Sequence, residues 1–329
     1  MKLKRIFVAL AVITQLFVIG CGDDNSTSPD DVDYRQEMRD FVIDLGDYAR
    51  SIDTDFIIIP QNGQELVTDD GDGDGTPQTE YLNAIDATGR ENMFYGYDDD
   101  DVETSPAENQ HLLDLCLVCE QHNVEVLSTD YCFTTSKMDS SYSWNEQNGF
   151  ISFAADEREL NNIPDYPVTI HNENVDDILN ISQAKNFLYL INSENFLTKQ
   201  DFIDAVSLTN YDAIIMDLYH NEVAFSSIEI DQLKTKQNGG QRLVICYMSI
   251  GEAEDYRYYW QVSWEVGDPD WLESENPEWA GNYNVRYWED GWQNIIFGND
   301  SSYLKKILDA GFDGTYLDII DGFEYFEED

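Results

Sequence analysis

Positive charge is what this 329-residue chain has least of. Eighteen Lys and Arg stand against 66 Asp and Glu, a net charge of −48. Three of those basic residues, Lys2, Lys4 and Arg5, fall within the first five positions. Nucleic acid is excluded as a partner, because a phosphate backbone needs the opposite field. Two readings of the acid excess remain. The composition favours carboxylate faces solvated in a salty or extracellular setting, and the sharper alternative is attraction of a cationic polymer such as an amino-sugar polysaccharide. Glycine-rich phosphate loops are also missing: neither GxGxxG nor a P-loop occurs, which argues against a nucleotide-binding open sheet. No second shift of composition marks a boundary between domains.

The first twenty residues hold the one long apolar run. Basic Lys2, Lys4 and Arg5 precede Ile6 to Ile19, and Val18-Ile19-Gly20-Cys21 closes the run. The order of basic head, apolar stretch, small residue and cysteine is expected to be a lipoprotein signal peptide over 1–20, with the lipobox at 18–21 and Cys21 acylated. The run is short for a membrane span. Residues 21–33, rich in Asp, Ser and Pro, then read as a flexible acidic linker. A single domain over 34–329 follows. These features predict an exported protein, lipid-anchored in a bacterial cell envelope on the periplasmic or surface face, and monomeric.

Cysteine is sparse. Besides Cys21 there are Cys116, Cys119, Cys132 and Cys246. Cys116-Leu-Val-Cys119 has redox or zinc spacing and is flanked by His111 and His122. It lies, however, on the apolar face of a helical pattern with Leu112, Leu113 and Leu115, so small buried hydrophobes are the preferred reading over a metal site.

Strand and helix signals alternate along the chain, as in a parallel α/β protein. The expected strands are Phe56 to Pro60, Asn92 to Tyr95, Val124 to Leu127, Phe187 to Ile191, Ala213 to Asp217, Leu243 to Met248, Asn284 to Tyr287 and Gly314 to Asp318, with Phe150 to Phe153 taken as a short tail. Eight strands alternating with helices favour a (β/α)8 TIM barrel. The chain opens this domain with a helix and closes it with a strand, so the two ends read as halves of one β/α unit. The expectation is a circular permutation in which the N-terminal helix follows the C-terminal strand.

A (β/α)8 barrel carries its chemistry at the C-terminal ends of its strands. Polar residues gather there: Asn62, Glu91, Asp130 and Asp217, then Glu252, Glu254 and Arg257 after the Leu243 strand, then Asp318 and Asp321. With Tyr247, Tyr256, Tyr287, Trp288 and Tyr316 nearby, this is the composition of a sugar cleft, where rings stack on apolar sugar faces and carboxylates bind hydroxyls. Any one of these acids could instead be a helix N-cap or an ion-pair partner of Arg257 or Arg286.

Three segments carry a resemblance: Ile245-Cys-Tyr-Met-Ser-Ile-Gly-Glu-Ala-Glu-Asp-Tyr-Arg257, Trp279-Ala-Gly-Asn-Tyr-Asn-Val-Arg-Tyr-Trp288 and Gly311-Phe-Asp-Gly-Thr-Tyr-Leu-Asp-Ile-Ile-Asp321. They resemble the endo-α-1,4-polygalactosaminidase-related, family 114-like TIM-barrel glycoside hydrolases. Phe56-Ile-Ile-Ile-Pro-Gln-Asn-Gly63, Gly89-Arg-Glu-Asn-Met-Phe-Tyr95 and Thr129-Asp-Tyr131 resemble segments that follow the aspartate-bearing strand in that family but precede it here. The resemblance implies hydrolysis of an amino-sugar-containing, galactosaminan-like polysaccharide by paired carboxylates with no catalytic metal. By motif, Asp318 would be the nucleophile or water-activating base and Glu91 the proton donor, the order of the two roles being open. Glu252, Glu254 and Arg257 would line substrate subsites, joined by Tyr247, Asp217, Asn62, Asp130, Trp288 and Asp321. The reading from another class is a non-catalytic surface glycan-binding lipoprotein on the same barrel.

One motif stands apart. Asp70-Gly-Asp72-Gly-Asp74-Gly75-Thr76 has acids at positions one, three and five and glycine at six, as in a calcium loop, but position twelve is Tyr81. Asp70, Asp72 and Asp74 are the candidate ligands of a structural Ca2+ over 70–76. The reading set against it, and preferred, is an acidic, glycine-rich solvent loop.

Overall fold

A computed structural model describes residues 32–327. The signal peptide, the lipobox with Cys21 and most of the linker lie outside the described residues. Among the described residues, no helix is long and apolar enough to cross a membrane.

Parallel strands alternate with helices: α1 (Tyr34–Ile52), β1 (Ile57–Pro60), α2 (Thr79–Ala84), β2 (Ala87–Glu91), α3 (Pro106–Gln121), β3 (Glu125–Tyr131), α4 (Thr135–Asn148), β4 (Ile151–Ala155), β5 (Phe187–Tyr189), α5 (Lys199–Ser207), β6 (Ala213–Asp217), α6 (Ser227–Leu233), β7 (Leu243–Ser249), α7 (Asp290–Ile296), α8 (Tyr303–Ala310), β8 (Gly314–Asp318) and α9 (Phe323–Glu327). β5, β6, β7, β8 and β1 form one parallel sheet in that order, and β2, β3 and β4 form a second. The strands are buried on both faces, which is why most read as unbroken apolar runs.

β1 links the two sheets. It pairs with β8 from Ile57↔Gly314 to Pro60↔Leu317. On its other side it meets β2 through a Gln61↔Gly89 bridge, with hydrogen bonds from Asp86 N to Ile58 O at 3.0 Å and from Asn62 N to Gly89 O at 2.8 Å. At the far seam no ladder joins β4 to β5 among the described residues; Phe153 and Phe187 meet there with ring centroids 5.7 Å apart. Side chains from non-adjacent strands fill the space between. The Tyr189 hydroxyl of β5 donates to Gln61 Oε1 at 2.9 Å, and the Tyr189 and Tyr316 rings lie 5.2 Å apart. A Cβ at Gly89 would collide with the Tyr316 hydroxyl, so the glycine makes room for that ring. This mixed α/β fold with parallel sheets is compatible with a TIM barrel.

Helix α1 shows how the outer layer is held. Asp33 caps it, accepting from Gln36 N at 3.0 Å. Met38, Phe41, Val42, Leu45 and Ala49 make its buried face, and buried Arg39 donates to the carbonyls of Leu66 and Thr68 at 2.8 Å each. Its first turn meets α9 through an Arg35–Glu327 ion pair at 2.8 Å and a Tyr34–Phe326 ring contact.

Three strand expectations need correction. The strand expected at Asn92 to Tyr95 lies instead at Ala87–Glu91, and Glu91 is its last residue. Phe150 to Phe153, read as a tail, fall largely in Ile151–Ala155, a full member of the β2–β3–β4 sheet. The strand expected at Asn284 to Tyr287 lies at Asn282–Val285 and is not one of the parallel strands. It is the middle of an antiparallel ribbon with Glu252–Glu254 and Leu272–Glu275. The four cysteines among the described residues are free and buried, with Cys116 and Cys119 in the main core.

Candidate active site

The register of β1 sets the site. Pro60 is level with Leu317 on one side, and Gln61 with Gly89 on the other. Asp318 is therefore level with Gly89, and Glu91, two residues on, ends β2 roughly 6–7 Å further along, separated from β8 by the width of one strand. Two inter-strand spacings with that step put their backbones roughly 12 Å apart. Both carboxyls border one cavity of about 650 Å3, which opens over these strand ends.

Each carboxylate ends its strand and is followed by a residue in the left-handed region, Asn92 at φ 60° and Ile319 at φ 59°. The chain turns away sharply after each acid and leaves its side chain at the cavity wall. Glu91 accepts from the Asn62 amide at 3.0 Å and from the Tyr131 hydroxyl, while its own N–H donates to Asn62 Oδ1 at 3.1 Å. Asp318 accepts from the Tyr247 hydroxyl and from Ile319 N at 2.9 Å. Each acid thus holds a tyrosine hydroxyl from an adjacent strand. Burial, with Glu91 and Asp321 nearby, pushes the Asp318 carboxyl up to about 8, although the Tyr247 and Ile319 donors pull the other way. Burial and Glu324 push Asp321 up to about 7, against the pull of Arg90.

The far wall comes from β6 and the ribbon after β7. Arg257 pairs with Asp217 at 2.7 Å and with Glu254 at 2.6 Å, and the Tyr256 hydroxyl donates to Glu254 at 2.5 Å. Burial raises the Asp217 carboxyl and Arg257 opposes it. Glu252, whose carboxyl burial also raises, takes amide donors from Asn276 at 2.7 Å and Asn282 at 3.1 Å. Among the described residues, nine carboxyl side chains and two arginines line the cavity. Both arginines are already engaged, Arg257 as above and Arg158 with Asp100 at 2.6 Å. The cavity therefore offers a strongly negative wall suited to hydroxyl donors and to cations.

Residues 181–329 match the model of glycoside-hydrolase family GH114. Over these residues the chain is GH114-like. Relatives with sequence similarity include an uncharacterized protein of Methanocaldococcus jannaschii, 40% identical over 161 residues that cover 47% of this chain and 43% of the relative. An uncharacterized protein of Thermotoga maritima is 36% identical over 138 residues, covering 41% of each chain. One of Deinococcus radiodurans is 35% identical over 126 residues, covering 38% of each. The chain spans less than half the length of these curated relatives. The GH114-like segment contains β5 to β8 and Asp318; Glu91 lies outside it.

Most of the residues singled out in the sequence meet at the cavity: Asn62, Glu91, Asp217, Tyr247, Glu252, Glu254, Arg257, Asp318 and Asp321 all line it. Asp130 and Trp288 do not. Asp130 is fully buried on the α4 side of β3, accepting from Phe94 N at 2.7 Å, Tyr95 N at 3.1 Å, Ser141 Oγ at 2.6 Å and Asn145 Nδ2 at 3.1 Å. Side chains alternate along a strand, so its neighbour Tyr131 takes the cavity face. Trp288 packs on Tyr34 and Phe326, with centroids 5.2 and 4.7 Å away, where α1 meets α9. Asp70, Asp72 and Asp74 do not converge either: among the described residues, no three His, Cys, Asp or Glu side chains are placed to hold a metal ion. That loop closes on itself, with Thr76 N donating to Asp69 Oδ1 at 2.6 Å and Asp72 N to Asp70 Oδ1 at 3.1 Å.

Sequence reasoning missed Tyr131, Arg158, Tyr189, Gln61 and Trp279, all of which line the cavity. Strand alternation around Asp130 was the one signal that could have found Tyr131. Nothing in the local sequence marks Arg158.

Proposed function

We propose that this protein is a glycoside hydrolase that cuts an amino-sugar-containing, galactosaminan-like polysaccharide, with Glu91 as proton donor and Asp318 as nucleophile or water-activating base. The pairing of Glu91 and Asp318 across β1, on one acidic cavity, is the observation that carries this reading. Hydrolysis of a glycosidic bond needs two such groups, one to protonate the leaving oxygen and one to act at the opposite face of the sugar. A cavity of this size lies within the ~300–1,000 Å3 range common for ligand sites.

The resting proton bears on the choice of substrate. In the free protein the half-buried carboxyl of Asp318 holds it at neutral pH. A neutral sugar would leave it there, whereas an ammonium group entering beside Asp318 and Asp321 favours their ionised forms. Asp318 then becomes the carboxylate that its role as nucleophile or base requires, and Glu91 is left as the group that faces the leaving oxygen.

The scaffold in this proposal is a closed (β/α)8 barrel, circularly permuted so that α1 stands between β8 and β1. The β8–β1 pairing and the restriction of the family match to residues 181–329 support it. Reducing-end release from galactosaminan by the parent, Glu91→Gln and Asp318→Asn tests the chemistry. We expect each variant to lose about 10²–10⁴-fold in kcat. Variants as fast as the parent would overturn the assignment, and binding with no release by the parent would leave a glycan-binding protein.

A further inference from the structure

We propose that Arg158, on the loop after β4, is a positioning residue for Glu91: it stacks on the Tyr131 ring and ties down the segment following Glu91, fixing the hydroxyl from which Glu91 accepts. This rests on the reading of Glu91 as proton donor.

Four contacts hold the guanidinium. Its carbon sits 3.9 Å from the Tyr131 ring centroid. Its Nε donates to Asp100 Oδ1 at 2.6 Å, and its Nη2 donates to Gly96 O at 2.8 Å and to Asn92 Oδ1 at 3.4 Å. Asp100 and Gly96 belong to the loop that begins at Asn92, immediately after Glu91, and Tyr131 ends β3. One side chain from the end of β4 therefore crosses the ends of β3 and β2, the full width of the second sheet. Gly96, at φ 107°, is shaped to this seat: a Cβ there would come within 2.6 Å of Asn92 Oδ1, 3.0 Å of Tyr131 Cβ and 3.1 Å of Arg158 Nη2. The Asp100 pair alone would be weak, since both side chains are 37% exposed. The stacked, planar guanidinium is the part that a lysine cannot reproduce.

The consequence is electrostatic as well as geometric. Burial and Glu91 make the Tyr131 phenol harder to ionise, and Arg158 opposes both, which makes its hydroxyl a better donor to an anionic Glu91. The other charged or titratable groups around Glu91 are Arg90, Asp318, Tyr189 and Tyr316. These stay in place when Arg158 is changed. Removing Arg158 weakens donation to the carboxylate form only, so Glu91 should bind its proton more tightly.

The test is a cycle of R158Q, Y131F and the double variant, with R158K as the conservative replacement. The first readout is the titration of Glu91 by 13C NMR on protein labelled at glutamate carboxyls, the signal being assigned by its absence in E91Q. R158Q should move the Glu91 midpoint up by about half to one pH unit, a threefold to tenfold change in proton affinity. In the Y131F background the same change should move it much less. R158K should fall between parent and R158Q. On the best glycan, the limb of the kcat/KM profile that Glu91 sets should move with the NMR midpoint. An equal shift with and without the Tyr131 hydroxyl, or no shift, overturns the proposal. Should R158Q not fold, the R158K and Y131F comparison decides in the same way. Absence of hydrolysis in the parent would count against the hydrolase reading alone, because the NMR cycle needs no turnover.

Discussion

Replacing Asp318 by Asn should stabilise the folded protein, and only at high pH. The carboxyl is raised from 3.8 to about 8, mainly by burial. Below about pH 4 the folded and unfolded chains both hold the proton, and the group contributes no difference. Between there and about pH 8 the unfolded chain releases a proton that the folded chain keeps. Stability must then fall as pH rises, since the native state binds more protons. At about 1.4 kcal/mol per pH unit, the interval caps the cost at roughly 6 kcal/mol. The real figure is smaller, because the side chain is half-buried beside an open cavity and shares its titration with Glu91 and Asp321. About 2–3 kcal/mol is a reasonable expectation once solvent screening is allowed for. Asn keeps one oxygen where Asp318 now accepts from both Tyr247 and Ile319, and losing one acceptor gives back about 1 kcal/mol. Urea unfolding of parent and D318N at pH 4.5 and pH 8.5 measures the difference. D318N should equal the parent or fall slightly below it at the lower pH, and exceed it by about 1–2 kcal/mol at the higher. A gap of the same size at both pH values would refute the reasoning, for it would mean that the carboxyl is not held protonated by the fold.

Two further outcomes follow from other parts of the cavity wall. Arg257→Leu leaves Asp217 and Glu254 buried without their cation, and should cost about 3–5 kcal/mol in urea unfolding at pH 8; the loss should shrink at pH 5, where Asp217, already raised by burial, takes up a proton more readily. Gly251→Ala would drive a methyl into the Ile319 carbonyl. It should lower stability by about 1–3 kcal/mol and cut hydrolysis more than binding, because the backbone it displaces carries Asp318.

What the sequence made legible depended on whether a strand was apolar. Gly314–Asp318, Ala213–Asp217 and Leu243–Ser249 end apolar runs in polar residues, and their ends were found with the acids in place. The strand carrying Glu91 reads Ala-Thr-Gly-Arg-Glu, with almost nothing to mark it. Its composition follows from its position: Gly89 must clear Tyr316, Thr88 accepts from Gln64, and Arg90 donates to the Glu91 carbonyl. Apolar periodicity pointed instead to the following stretch, of which Met93 and Tyr95 are indeed buried, but within a loop. The ribbon strand Asn282–Val285 misled in the opposite sense, since its Tyr283 and Val285 pack on the main core from an antiparallel ribbon, not from the parallel sheets. Asp130 was misplaced because an acid at a strand end was weighed without asking which face it takes. Local sequence records composition, but the choice between the two faces of a strand is made by what lies across it.

The backbone just past the two acids marks the limit of what sequence can disclose. Asn92, after Glu91, adopts the left-handed conformation at modest cost, as asparagine often does. Ile319, after Asp318, does the same with a β-branched side chain, which is strongly disfavoured. Such a conformation persists only where the surroundings dictate it. Here they do: the Ile319 N–H donates to Asp318 Oδ1, Gly251 admits the Ile319 carbonyl at a distance no Cβ would allow, and Ile250 N donates to the Asp318 carbonyl at 3.1 Å. The Ile-Gly pair after β7 is thus shaped to the turn after β8. That places the strain beside the carboxyl that burial raises to about 8, where a relaxed turn would let Asp318 swing toward water and lose the protonation that the substrate's charge is proposed to reverse.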